Sequence, residues 1–148
     1  MKRTLFLGSL AVLLLHAMAR AQAPLLINHQ GRLGVGGVPF NGSGQFKFAL
    51  VNAGASETYW RSAADSSPAD GQPDAAVTLA VSRGVYSVML GDTSLMLALD
   101  PSMLSHPEVR LRVWFSDGLH GFELLAPDQR LGSAPYALVA QSVSGGPV

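Results

Sequence analysis

The residues able to do chemistry are few, and their spacing does not assemble them. Beyond residue 21 the chain carries three histidines, His29, His106 and His120, and no cysteine. A metal centre needs several such ligands converging, and a nucleophilic triad needs a histidine beside an activated hydroxyl or thiol. None of the three histidines has another histidine or a carboxylate at a spacing that signals either. There is no Gly-x-Ser-x-Gly elbow, no His-Glu-x-x-His pair and no phosphate-cradling glycine loop opening a helix. Asp65, Asp70 and Asp74 share a stretch with Ser66, Ser67 and Gly71, an oxygen-rich set of the kind that ligates calcium. Their spacing matches no EF-hand, so the stretch reads as a solvated loop. Glu57, Glu108 and Glu123 are the glutamates from which a glycosidase pair would be drawn, but nothing selects one. The expectation is a chain that is not an enzyme and holds no metal or cofactor.

Aromatic residues offer a different chemistry. Trp114 falls in phase with Arg110 and Arg112, and Tyr59-Trp60 lies elsewhere in the chain. If these rings project from one polar face, they form a platform for stacking on a sugar or on a partner protein, helped by the guanidinium groups. If a second layer covers that face, they are packing residues. The burial of Trp114 and Trp60 decides between the two.

Those residues must be positioned by strands. In the segment 109–140, Val109, Leu111, Val113 and Phe115 alternate with Arg110, Arg112, Trp114 and Ser116, the period of a half-buried strand. Asp117-Gly118 then predicts a tight hairpin turn into a second apolar strand. Arg130-Leu131 is expected to end an edge strand, because Pro135 cannot continue a ladder and turns the chain back with Tyr136. Arg130 is expected to pair with Asp128 or with backbone carbonyls.

Earlier in the chain, residues 25–33 read as a strand with Leu25, Ile27 and Leu33 apolar, ended by Gly34, Gly36, Gly37 and Pro39. Residues 45–51 alternate most cleanly, with Phe46, Phe48 and Leu50 on one face. A short aromatic strand follows at 57–62, then a loop at 63–74. Residues 75–82 and 85–90 form a second hairpin through Arg83-Gly84. Asp100-Pro101 starts a short helical turn ended by Pro107. About seven short strands with regular turn signals predict an all-β antiparallel sandwich, with a short helical or irregular segment near 134–142.

Lys2 and Arg3, the apolar run 5–15, and the small residues Ala19 and Ala21 read as a secretory signal peptide cleaved after Ala21. The run is shorter than the roughly 20 apolar residues needed to span a bilayer. A single domain over 22–142 and a flexible tail at 143–148 follow. Of the ten basic residues, Lys2, Arg3 and Arg20 leave with the signal, against ten acidic residues that all remain, a net of −3. That balance gives no footprint for nucleic acid or for an anionic membrane surface.

The pieces Ile27-Asn28-His29-Gln30-Gly31-Arg32-Leu33, Pro39-Phe40-Asn41-Gly42, Phe46-Lys47-Phe48-Ala49-Leu50, Tyr59-Trp60, Gly84-Val85-Tyr86-Ser87-Val88-Met89-Leu90-Gly91 and Gln129-Arg130-Leu131-Gly132-Ser133-Ala134-Pro135-Tyr136-Ala137 occur in this order. This resembles an uncharacterised module of secreted bacterial proteins, often N-terminal in chains that continue as fibres or tail fibres. His29 stands where the pattern has an aromatic residue, and few residues follow Ala140, where many relatives continue into a stalk. The resemblance implies a structural module of the cell surface or exterior, with Arg130, Pro135 and Tyr136 as its structural closing motif. Its partner would be a protein or glycan outside the cell, or a second copy; the competing expectation is a carbohydrate-binding module using Trp114, Trp60 and Tyr59.

Overall fold

In the computed structural model, which describes residues 22–132, the chain forms β1 (Ile27–Arg32), β2 (Gly34–Val35), β3 (Val38–Pro39), β4 (Gly42–Val51), β5 (Thr58–Arg61), β6 (Val77–Val81), β7 (Val85–Leu90), β8 (Arg110–Ser116), β9 (Glu123–Leu124) and β10 (Gln129–Arg130). A short 3₁₀ helix, Pro101–Ser105, lies between β7 and β8, capped by the Asp100 side chain on Ser102 N. Every pairing is antiparallel. The all-β, sandwich-like class expected from the alternation is the class found. The leader 1–21, Pro135, Tyr136, the segment 134–142 and the tail 143–148 lie outside the described residues.

β4 is the spine. One edge pairs with β8 from Gln45↔Ser116 to Val51↔Arg110. The other edge is shared: β6 pairs with its first half and β5 with its second, the latter with a register shift between Leu50 and Val51. Alternation along β4 sends Phe46, Phe48 and Leu50 inward, all fully buried. Facing them are Ile27, Leu33, Tyr86, Val88 and Leu90 of the second, two-stranded sheet β1–β7 and its flank. Met96, Leu99, Met103 and Leu104, from the long connection between β7 and β8, complete this core. Truncating one of the central rings to alanine removes about 3–5 kcal/mol.

The corner between the sheets is the β6–β7 turn. Ser82 and Val85 exchange both backbone hydrogen bonds around Arg83-Gly84, whose φ values of 50° and 78° are those a two-residue turn of the favoured hand requires. The two-residue turn read at Arg83-Gly84 is therefore present, but the strands it joins part after the Ser82–Val85 bridge, β6 pairing with β4 and β7 with β1, so the hairpin expected over 75–90 is reduced to its turn.

Three expectations are corrected. Asp117-Gly118 does not close a two-residue turn. The Asp117 carboxylate accepts from Leu119 N and His120 N, so the chain loops through 117–122 before β9 begins. The second strand of that hairpin is also broken. β9 pairs Trp114↔Leu124 and β10 pairs Gln129↔Leu111, a register offset by two residues across a connection that contains the cis Ala126-Pro127 bond. In addition, the glycine-rich stretch after β1 is a small hairpin, β2–β3, rather than a plain break.

Gly31 shows how closely the layers meet. A Cβ there would lie 2.5 Å from Tyr86 Cζ, so only glycine lets that ring cross beneath β1. Gly31→Ala is expected to lower the unfolding free energy by about 1–3 kcal/mol. Gly121→Ala, with nothing within 4 Å of the new methyl, should change it by less than about 0.5 kcal/mol. Urea titration of both variants checks this; equal midpoints would contradict the packing.

Candidate functional site

The face of the large sheet that points away from the core carries three of the aromatic and cationic residues singled out above. Arg110, Arg112 and Trp114 alternate on β8 opposite Val51, Ala49 and Lys47 of β4. Trp114 is only 4% exposed. It packs with Ala49 and Val51 under Ala55 and Phe122, the latter from the loop that follows β8. Lys47 Nζ sits 4.3 Å above the Phe122 ring. Trp60 pairs with Leu50 and therefore belongs to the opposite, inner face, where its Nε1 donates to the Ala98 carbonyl at 2.9 Å. Tyr59 packs against that same core and stacks on His106 at 3.7 Å. The structure thus brings Arg110, Arg112 and Trp114 together and separates Trp60 and Tyr59 from them. A flat stacking platform built from all five does not form, because alternation places the two indoles on opposite sides and side chains cover both.

The arginines of this face are engaged within the chain. Arg112 grips Asp128 with Nε and Nη2, each at 2.9 Å. Arg110 donates twice to Glu108 Oε1, at 2.9 and 2.7 Å, and these bonds hold the Glu108 carboxyl below its ordinary range. Arg61 Nε lies 2.9 Å from Asp65 Oδ2, out of line for a hydrogen bond, and among the described residues neither atom has another hydrogen-bond partner. Arg130 does not pair with Asp128 as expected, since Arg112 already holds that carboxylate. Its side chain is exposed at the end of β10, and its charge adds a minor part to the lowering of the Glu108 carboxyl.

The Asp65 to Asp74 loop is tied up similarly. Asp65 accepts from Ser67 N, Asp70 from Gln72 N, and Asp74 from the Ser66 backbone and hydroxyl. Among the described residues, no three His, Asp or Glu side chains are grouped to hold a metal ion.

One polar constellation was not singled out from sequence, although its Asp-x-x-His spacing was visible. His120 Nδ1 lies 2.8 Å from Asp117 Oδ2. Hydrogen bonds from His120 and Leu119 push the Asp117 carboxyl down to about 2, and the bond to Asp117 raises His120 above its ordinary value. Ser116 stands beside them, but its hydroxyl donates to the His120 carbonyl and accepts from Gly118 N. The hydroxyl is therefore not presented to the imidazole, and the three residues act as a loop clasp rather than a relay. They line a cleft of about 290 Å³ with Gly34, Val35 and Glu123.

His29 is the buried counterpart. It points into the core from β1 and meets the Tyr86 hydroxyl at 3.1 Å through Nε2, with its ring edge-on to Phe48 and Tyr86. Burial lowers the His29 pKa and pushes the Tyr86 phenol up to about 12. An aromatic ring suits this position, and the imidazole fills it.

The two histidines contribute to stability in opposite pH windows. A raised folded value at His120 gives stability that is fully present below its unfolded pKa and is lost as pH rises through the folded one. A lowered value at His29 gives stability that is present above the unfolded pKa and is lost as pH falls through the folded one. Imidazole NMR titration should place His120 above and His29 below the free-histidine midpoint. Asp117→Asn should return His120 alone toward that midpoint; coincident curves in the parent would contradict both environments.

A last feature is the open side of the sandwich. Among the described residues β1 has only β7 as a strand partner and β10 only β8, so each ends its sheet there. The two ends lie on either side of a pair of adjoining cavities. One, of about 290 Å³, is lined by Gln30, Gly31, Arg32, Val85 and Gln129. The other, of about 210 Å³, has Tyr86, Leu111, Val113, Leu125 and Pro127 on its walls.

No curated protein and no solved structure matches the chain. A family model described as a domain of unknown function, DUF8740, matches residues 28–128, which run from the first residues of β1 to the Asp128 carboxylate that anchors Arg112. The chain belongs to this family, DUF8740.

Proposed function

We propose that the protein is a secreted, non-catalytic structural or protein-interaction module of the bacterial envelope or exterior, of the kind that accompanies surface fibres. The observation that carries the reading is the pair of strand edges, β1 and β10, that are open among the described residues and flank the same cavities, in a domain whose acidic side chains are largely engaged by its own backbone, arginines and His120. Edges of this kind are ready-made surfaces for pairing with another chain. The leader-like pattern at residues 1–21 supports export, and the ordered motifs from Ile27 to Ala137 support the fibre-associated context. Carbohydrate binding would need an exposed ring pair, and the two buried indoles weigh against it.

The Asp117–His120 pair is the group most able to contradict a non-catalytic role, so it is the one to test. The purified chain is expected to hydrolyse chromogenic esters, chromogenic glycosides and casein no faster than buffer. Turnover that disappears in His120→Ala would overturn the reading.

A further inference from the structure

We propose that the seam between β1 and β10 binds one extended strand of a partner protein in which acidic and apolar side chains alternate. This deepens the interaction-module reading and rests on it.

The backbone supplies the first argument. Leu33 N donates to Gly84 O across the β1–β7 side. Both polar groups of a strand residue point to the same edge, and successive residues point to opposite edges. Ile27, His29 and Gly31 therefore face β7, while Asn28, Gln30 and Arg32 present their N–H and C=O groups to the seam. On the other bank, Leu131 N donates to Val109 O. Gln129 thus faces β8, and Arg130 turns its backbone groups outward. Among the described residues, no backbone hydrogen bond satisfies these outward groups. A strand laid between the banks would pair with them and continue the sheet order from β1 to β10.

The side chains define what that strand must carry. Residues of the incoming strand that point inward enter a slot rimmed by Arg32 and Gln129, with Leu125 and Pro127 on its wall and the buried Tyr86, Leu111 and Val113 behind them. Residues that point outward lie between Arg32 and Arg130, both exposed. Among the described residues, neither arginine lies within ion-pair distance of a carboxylate, and Glu108, which feels Arg130, is already bonded by Arg110. The neighbouring Arg112 is likewise neutralised by Asp128. Among the described residues the seam therefore keeps two uncompensated positive charges beside a slot with apolar side chains on one wall, the complement of an alternating acidic and apolar strand. A lysine-bearing strand would meet like charge on both banks.

The test uses the purified full chain and three blocked heptapeptides: alternating Val and Glu, alternating Val and Lys, and the Val/Glu peptide with proline at its centre. Calorimetry is expected to show the Val/Glu peptide binding at least about tenfold more tightly than either of the others. Amide exchange by NMR should show new protection at Asn28, Gln30, Arg32 and Arg130. Arg32→Gln and Arg130→Gln, both at exposed positions, should each weaken binding, and the double variant Arg32→Glu/Arg130→Glu should prefer the Val/Lys peptide. Equal affinity for the Val/Glu and Val/Lys peptides, protection confined to other residues, or no binding would each overturn the seam assignment. Those outcomes leave the non-catalytic reading standing, because only turnover in the hydrolase assays removes it.

Discussion

A strand hydrogen-bonded along both edges and covered on both faces has almost no freedom in register, and β4 is such a strand. Its Phe46, Phe48 and Leu50 are fully buried on one side, and Ala49 and Val51 are buried on the other. A slip of one residue against β8 would drive Lys47 into the core and lift the phenyl rings out of it, a penalty far above any pairing gain. The placement of β5, β6 and β8 follows from this constraint. The positions of Arg110, Arg112 and Trp114 follow in turn from the register of β8.

Because β4 takes the middle of the large sheet, the unsatisfied backbone is pushed to the periphery. The chain deals with most of it locally, by side-chain caps at Asp92, Asp100 and Asp117 and by the two-residue turn at Arg83-Gly84. The polar groups that a search for chemistry would notice are mostly absorbed in this work: Asp117 and His120 clasp a loop, Asp128 and Glu108 anchor arginines, and His29 completes an aromatic cluster. Among the described residues several strands pair along one edge only, and of these β1 and β10 flank the same cavities, with Arg32 and Arg130 exposed beside them.

Much of this was legible in the residues. The alternation at 45–51, 75–90 and 109–116 located β4, β6, β7 and β8, and Asp100-Pro101 marked the 3₁₀ helix. Local patterns failed where a distant side chain decided the outcome. Trp114 shares its phase with two arginines and so reads as solvent-facing, yet Phe122, from a loop whose path is set by Asp117, closes over it. Asp-Gly reads as a tight turn, but the aspartate carboxylate can instead gather the next two amides and lengthen the loop. Trp60 and Tyr59 could not be assigned a face from sequence, because the register shift between Leu50 and Val51 governs the neighbouring strand. The split of the last strand into β9 and β10 likewise depends on how Pro127, which lacks an N–H, is fitted against β8.

The central claim, a β4-centred sandwich with an open β1 edge, is tested most directly by native-state amide exchange on the protein alone. The amides of Phe46, Phe48 and Leu50 should exchange only through global unfolding, and those of His29 and Gly31 should be protected by β7. Asn28, Gln30 and Arg32, on the same strand, should exchange rapidly. Protection of these three as strong as that of His29 and Gly31 would mean that the edge is already covered, and would contradict the account.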